Sequence, residues 1–201
     1  MEAEEFKGFR LVGGTSLSLQ LGHRESVDID LFSDKPYGSI DFEKIDLYLD
    51  THFSYVDDIR ELLPAMGKSY LVGTDRDNAI KLDVFHTDNF ITPARVEDGI
   101  RLASVEEIIA MKMDVVQRVA RKKDFWDLHE LLTLYGIGDM LKWHERRYPY
   151  GHNSKLILEN FIKFDNANED FDPICLKGKH WEFIKEDLKE TIEKFLNNKA
   201  N

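Results

Sequence analysis

The chain has little that would staple or anchor it. A single cysteine, Cys175, among 201 residues excludes an internal disulfide and a cysteine-based metal cluster, and it reads as a plain structural thiol. No apolar run is long enough to span a bilayer and no secretory signal pattern opens the chain, so a cytoplasmic protein without membrane association is expected. Positive charge is also scarce. With 27 Lys and Arg against 38 Asp and Glu, the formal net charge is −11, which argues against a protein that grips nucleic acid through phosphate contacts over its whole surface. A local basic groove stays open, because cations cluster from Arg118 to Lys123 and from Lys142 to Arg147. Repeats and low-complexity tracts are missing. Hydrophobic residues at 42% and charged residues at 32% are ordinary globular values, so the expectation is one sizeable domain or a small domain with a helical appendage.

What is present centres on Val12 to Phe32. Phe9, Leu11 and Val12 form an apolar run that meets Gly13 and Gly14, and Thr15 and Ser16 then open a helix. Two glycines after a strand let the backbone turn tightly and approach a ligand, and the free N–H groups of a helix start attract phosphate. From Val27 to Phe32 the pattern is that of a strand. Alternation puts Asp28 and Asp30 on one face and leaves Val27, Ile29 and Leu31 for the core. Two neighbouring carboxylates repel unless a cation lies between them, and hard oxygen donors at that spacing suit Mg²⁺. Either half alone reads as well as a plain turn or as solvated strand residues. A phosphate cradle and a metal pair joined by one short helix are together what nucleotidyl transfer requires.

The rest of the chain supplies fewer signals. Met1 to Lys7 is expected to fray, and a first strand opening at Phe9 leaves little room for a functional segment ahead of it. Asp41 to His52 reads as a packing helix. Lys68 to Gly73 and Asn78 to Phe85 read as two strands of a hairpin. In the second, Asp83 shares a face with Lys81 and stands between apolar neighbours. It is either a surface acid or a third carboxylate beside Asp28 and Asp30, and Lys81 either meets a phosphate or pairs with an acid. Ser104-Val-Glu-Glu107 is a capping box opening a helix that carries Lys112 and Arg118. A second helix begins near Arg121, with Lys123, Asp124 and Asp127 in its first turns. Capping accounts for Asp124 there but not for the cations, which oppose the helix dipole. Beyond the stop at Tyr135 to Gly138 lie helical stretches at 139–147, 153–164 and 180–197, with a break rich in Asp and Asn at 165–173. Trp143, Tyr148, Tyr150 and Trp181 are either core or stacking platforms for bases. His23, His86 and His129 lack metal-ligand spacing and receive no chemistry.

Gly13-Gly14, thirteen intervening residues and then Asp28-Ile-Asp30 resemble the first motif of the DNA polymerase β-type nucleotidyltransferases, and the whole stretch from Gly13 to Phe32 resembles more narrowly the AbiEii/AbiGii toxin family. Lys112, Arg118 and Lys123-Asp124-Phe-Trp-Asp127-Leu128 resemble that family's later motifs, in which a lysine contacts nucleotide phosphates. One departure stands out. The family's Arg-Gly before the Lys-Asp pair is replaced by Arg118-Val-Ala-Arg121, so either Arg118 or Arg121 fills the arginine position.

The resemblance implies an α/β (α+β) fold, a nucleotidyltransferase-type mixed sheet flanked by helices, with an α/β core over 1–103 and a helical part over 104–201. It implies a Mg²⁺-dependent nucleotidyltransferase that moves a nucleoside monophosphate from a nucleoside triphosphate to an acceptor hydroxyl. Asp28, Asp30 and Asp83 are the implied metal ligands. Gly13, Gly14, Thr15, Ser16 and Lys123 are implied to bind nucleotide, Lys112 to neutralise its phosphates, and Asp124 either to orient Lys112 or to act as a base. The implied setting is a bacterial toxin-antitoxin (abortive infection) system with an RNA or tRNA acceptor and a cognate antitoxin. Transfer to a small molecule or a protein, and nucleotide binding without transfer, are the alternatives.

Overall fold

The computed structural model describes residues 1–58 and 66–200. These fall into two compact units, Met1–Ser16 with Ser26–Ser104, and Leu17–Glu25 with Val105–Asn201.

The first unit is built on a mixed sheet. Among the described residues its strands are β1 (Arg10–Val12), β2 (Ile29–Ser33), β3 (Tyr55–Asp58), β4 (Gly67–Gly73), β5 (Ala79–His86), β6 (Arg95–Glu97) and β7 (Ile100–Leu102), in the order β3-β4-β5-β2-β1-β7-β6. β1 pairs antiparallel with β2, while β2 with β5 and β1 with β7 are parallel. Local chemistry closes the β4–β5 and β6–β7 hairpins. In the β4–β5 turn the Asp75 carboxylate accepts from the main-chain N–H groups of Asp77 and Asn78, each at 3.0 Å, a side chain standing in for a backbone turn. In the β6–β7 turn Asp98 and Gly99 take φ of 48° and 75°, the paired left-handed conformation that suits a two-residue hairpin.

One face of this sheet forms the core. Leu31 of β2, Tyr70 and Val72 of β4 and Leu82 and Val84 of β5 cluster with Ile45 and Leu49 of α1, the helix at Phe42–His52. Asp41 caps α1, its carboxylate accepting from Lys44 N at 3.1 Å. The start of the chain is tied down rather than frayed. A short 3₁₀ turn at Glu4–Phe6 buries Phe6 in the same core, and the Arg101 guanidinium donates to the carbonyls of Met1 (3.0 Å), Phe6 (2.6 Å) and Phe9 (3.0 Å). The charge on Arg101 satisfies three backbone oxygens that no periodicity in residues 1–9 could have announced.

The helix at Gly13–Leu21, α2 here, begins in the first unit and ends in the second. The second unit continues with α3 (Val105–Arg118), α4 (Lys122–Leu132), α5 (Ile137–Arg147), α6 (Ser154–Asn160), α7 (Asp165–Asn168) and α8 (Trp181–Ala200). Apolar residues three and four apart on α3 (Ile108, Ile109, Met113, Val116), α4 (Phe125, Leu128, Leu131) and α8 (Ile184, Leu188, Ile192) are buried. An aromatic group of Phe125, Trp126, Phe164 and Trp181 joins them, with ring centroids 5.0 to 6.4 Å apart. Trp181 is thus core, whereas Tyr150 is fully exposed. The stretch expected as a plain break holds α7. The cations at 142–147 divide: Lys142 pairs with Asp139 at the surface, and Arg147 is buried on Glu107.

Candidate active site

In the first unit, strand register brings two of the expected carboxylates together. β2 and β5 run parallel with Asp30 opposite Asp83, so both side chains leave the same face, one inter-strand spacing apart. That face is the opposite one from Leu31, Leu82 and Val84. Asp28 lies one residue before β2 begins, so it belongs to the approach to the strand rather than to the strand itself. The Asp83 carboxylate is divided in its contacts. Oδ2 accepts from Lys81 Nζ, while Oδ1 is buried with no hydrogen-bond partner. A buried, partnerless carboxylate oxygen is costly, and a cation is what would satisfy it.

The glycine pair meets this site through Asp30. Gly13 opens α2 with φ of +68°, the left-handed region, and a Cβ placed on it would overlap Oδ2 of Asp30 and lie 3.3 Å from its Cγ. Glycine is therefore required here twice, for the conformation and for the closeness of the carboxylate. Thr15 ties the helix start to the strand approach, its hydroxyl contacting Ser26 Oγ at 2.9 Å and donating to the carbonyl of Asp28. Ser16 is fully buried. The donor set fits a hard divalent cation: carboxylate oxygens, one of them unsatisfied, beside a helix start whose N–H groups favour an anion. Among the described residues no three His, Cys, Asp or Glu side chains are gathered closely enough to hold a metal ion by themselves.

In the second unit the later-motif residues form a buried ionic network. Lys112 Nζ donates to Asp124 Oδ1 at 2.6 Å and lies 2.7 Å from Asp127 Oδ2. Asp127, with no exposed surface, also takes Arg24 in a two-pronged contact, Nε to Oδ1 at 2.6 Å and Nη2 to Oδ2 at 3.0 Å, and meets His23 Nε2 at 2.7 Å. Asp124 Oδ2 accepts from Arg121 N at 3.0 Å, which caps α4. Burial opposes the charged forms of Lys112, Asp124 and Asp127. For Lys112 it is outweighed by Asp127 and Asp124, which raise the ammonium's pKa; for Asp124 and Asp127 it is outweighed first by Lys112, which holds both carboxyls below their usual range.

Of the neighbouring cations, Arg118 reaches Asp114 one turn back on α3, and Lys122 is buried on Asp170 and Asp172 under Trp181. These pairings answer why cations sit at the start of α4 against its dipole: Lys122 is neutralised from outside the helix. Lys123 is half-buried.

Sequence reasoning missed two members of this network, His23 and Arg24, while Asp127 stood in the resembling later motif and three residues from Asp124 on one helix face without a role of its own. His23 and Arg24 carried no signal, since their partner lies over a hundred residues away.

Known proteins resemble this chain over nearly its whole length. The family profile described as nucleotidyl transferase AbiEii toxin, type IV TA system, matches residues 1–198. An uncharacterized protein of Aquifex aeolicus (strain VF5) is 26% identical over 202 residues, covering 94% of this chain and 89% of that protein. Among solved structures, MenT4, a nucleotidyltransferase toxin of Mycobacterium tuberculosis H37Rv, superposes with a TM-score of 0.59 at 15% identity, over 92% of this chain and 75% of its own. JHP933 from Helicobacter pylori gives 0.56 at 19% identity, over 98% and 88%. The two structures share the fold.

Proposed function

This chain belongs to the AbiEii family of nucleotidyltransferase toxins, and from that premise we propose that it transfers a nucleoside monophosphate from a nucleoside triphosphate to a hydroxyl of RNA, with tRNA as the acceptor class and Mg²⁺ as the resident ion. The observation that carries the reading is the register pair Asp30 and Asp83 with Gly13 pressed against Asp30. Asp30 and Asp83, with Asp28 from the strand approach, would hold the ion, which when bound neutralises triphosphate charge and orients the attacking hydroxyl. The acceptor hydroxyl gives up its proton to water as its oxygen bonds to the α-phosphorus, the bond from that phosphorus to the bridging oxygen breaks, and pyrophosphate leaves.

The chain's own groups do the positioning. The N–H groups at Gly14, Thr15 and Ser16 bind phosphate oxygens, and the missing Cβ at Gly13 leaves the Asp30 carboxylate in place beside them. Lys112 brings positive charge that Asp124 orients. Both Asp124 oxygens are occupied and its carboxyl is held ionised, which favours the orienting role over that of a base. Lys123 is the remaining candidate for nucleotide contact. A cytoplasmic site of action and a cognate antitoxin complete the reading; no helix among the described residues is long and apolar enough to cross a membrane.

The test is label transfer from each of the four α-phosphate-labelled nucleoside triphosphates to total RNA with Mg²⁺, comparing the natural chain with Asp30→Asn and Asp83→Asn. Label on small RNAs from one nucleotide, lost in both variants, is expected. Nucleotide recovered intact from the protein, with RNA unlabelled throughout, refutes the RNA acceptor and moves the search to protein and small-molecule acceptors.

A further inference from the structure

The sheet face that carries Asp30 and Asp83 also carries a second row of side chains, to which the proposed reaction gives no role. β1, β2 and β5 are neighbours, and their register sets Arg10 opposite Phe32 and Phe32 opposite Phe85. Each of the three stands two residues along its strand from the row of Val12, Asp30 and Asp83. Side chains two apart leave the same face, so the two rows run side by side, about 6.6 Å apart.

The Phe32 and Phe85 rings lie 6.1 Å apart, centroid to centroid, at 53°, and both residues are half-buried. Neither joins the apolar cluster on the opposite face. Phe85 leans over Gly67, its register partner on β4, where a Cβ would come within 2.5 Å of the ring. At the other end of the row the Arg10 guanidinium lies 3.9 Å from the centroid of the Phe90 ring and donates to the Thr92 carbonyl at 2.6 Å, which fixes a cation on the strand next to Phe32. Aromatic rings and a guanidinium on a sheet surface are the parts with which proteins stack bases and hold the phosphates of single-stranded nucleic acid.

The register also fixes on which side of the reaction this row lies. β1 runs antiparallel to β2 with Val12 opposite Asp30, so Gly13 and the candidate phosphate-binding turn continue past Asp30, away from Phe32. Asp30 and Asp83 thus stand between that turn and the aromatic row. In phosphoryl-type transfer the attacking and leaving oxygens are roughly in line. Pyrophosphate leaves toward the turn that binds it, so the attacking hydroxyl enters from the side of Phe32 and Phe85.

We propose that Phe32 and Phe85 form the stacking platform for the terminal nucleobase of the RNA acceptor, with Arg10 meeting a phosphate of the same strand, a role that rests on the RNA reading above. The platform selects an unpaired end, because a base stacked within a duplex has no free face to offer.

The test has two arms. Label transfer to a short single-stranded RNA is followed for the natural chain, Phe32→Leu and Phe85→Leu, with KM measured separately for RNA and for the nucleoside triphosphate. Leucine keeps apolar bulk and removes the stacking face. Expected is a rise of about tenfold in KM for RNA, the loss of one base stack, with KM for the nucleotide unchanged. An unchanged KM for RNA in both folded variants, or an equal rise for the nucleotide, overturns the proposal. The second arm does not depend on transfer. The full chain is irradiated with a short RNA carrying 5-iodouridine at its 3′ end, and the cross-linked residue is located by peptide mass spectrometry. Cross-links on Phe32 or Phe85 are expected; cross-links confined to other residues, or none, overturn the platform. Absence of label on RNA with the natural chain refutes the RNA reading itself, and the cross-linking arm then decides whether the platform binds RNA. Should the leucine variants not fold, that arm decides alone.

Discussion

Replacing Asp127 by asparagine keeps the shape of the buried network and removes one of its two anions. In the natural chain Asp127 balances Arg24 and Lys112 together with Asp124, at 2.6 and 2.7 Å and with no exposed surface. In the variant two buried cations face one carboxylate, and the new amide N–H₂ adds donors where acceptors are needed. Breaking a buried ion pair from one side costs about 3–5 kcal/mol. Asparagine retains one acceptor oxygen, which places the loss near the lower figure, about 3 kcal/mol, or roughly 6–12 °C in Tm for a chain of this length.

Urea unfolding followed by circular dichroism reads the loss as a lower midpoint at unchanged slope. The pH dependence gives an independent arm. The folded-state pKa of Asp127 is depressed, so its contribution is present above the unfolded carboxyl value and is lost as pH falls through the folded one. The gap between natural chain and variant should therefore be constant near neutrality and close in strong acid. Adding Arg24→Met to Asp127→Asn should recover part of the loss, because the unbalanced cation goes with it. A loss under about 1 kcal/mol, the value of an exposed pair, would refute the claim that these charges are desolvated.

Gly13→Ala forces a Cβ into the left-handed region and onto the Asp30 carboxylate, so it should destabilise by about 1–2 kcal/mol and remove most label transfer, read by thermal melting and the RNA assay. Chelation of divalent cations should stop label transfer and added Mg²⁺ restore it; transfer that persists in a chelator excludes the ion from the reaction. Arg147→Met removes the guanidinium that Glu107 pairs with in a fully buried position, for a loss of about 3–5 kcal/mol by urea unfolding. Its label transfer at low temperature should be near normal, since neither residue is placed in the reaction.

The parts of this molecule that were legible in the sequence are those whose cause is local. The alternation in Ala79 to His86 and the turn chemistry at Asp75 specify β4 and β5, and alternation sets the face that Asp30 and Asp83 each leave, whereas their lying side by side comes from the register of β2 on β5. The hairpin of β6 and β7 was overlooked despite its Asp98-Gly99 turn. Its first strand is exposed at every residue and so shows no apolar alternation. β3 is a short edge strand held by its pairing with β4. Asp28 was read as a strand residue because side-chain type cannot show where a ladder of hydrogen bonds begins. In the network around Asp127, His23 and Arg24 escaped for another reason: they are ordinary residues whose meaning comes from contacts far along the chain.

Those distant contacts bear on how the protein is made. Leu17–Glu25 belongs with Val105–Asn201, and its partners Asp127 and Cys175 are translated more than a hundred residues later. At about 5–20 residues per second, the segment waits on the order of 5–30 seconds before either partner leaves the ribosome. During that interval Arg24 has no Asp127 to enter, and the helix at Gly13–Leu21 can be set at its first turn but not at its last. A nascent chain stopped before α4 would carry the candidate phosphate-binding turn and all three candidate metal carboxylates, yet lack the anchor for the end of that helix. The order of synthesis thus keeps the network around Asp127 out of reach until most of the protein exists.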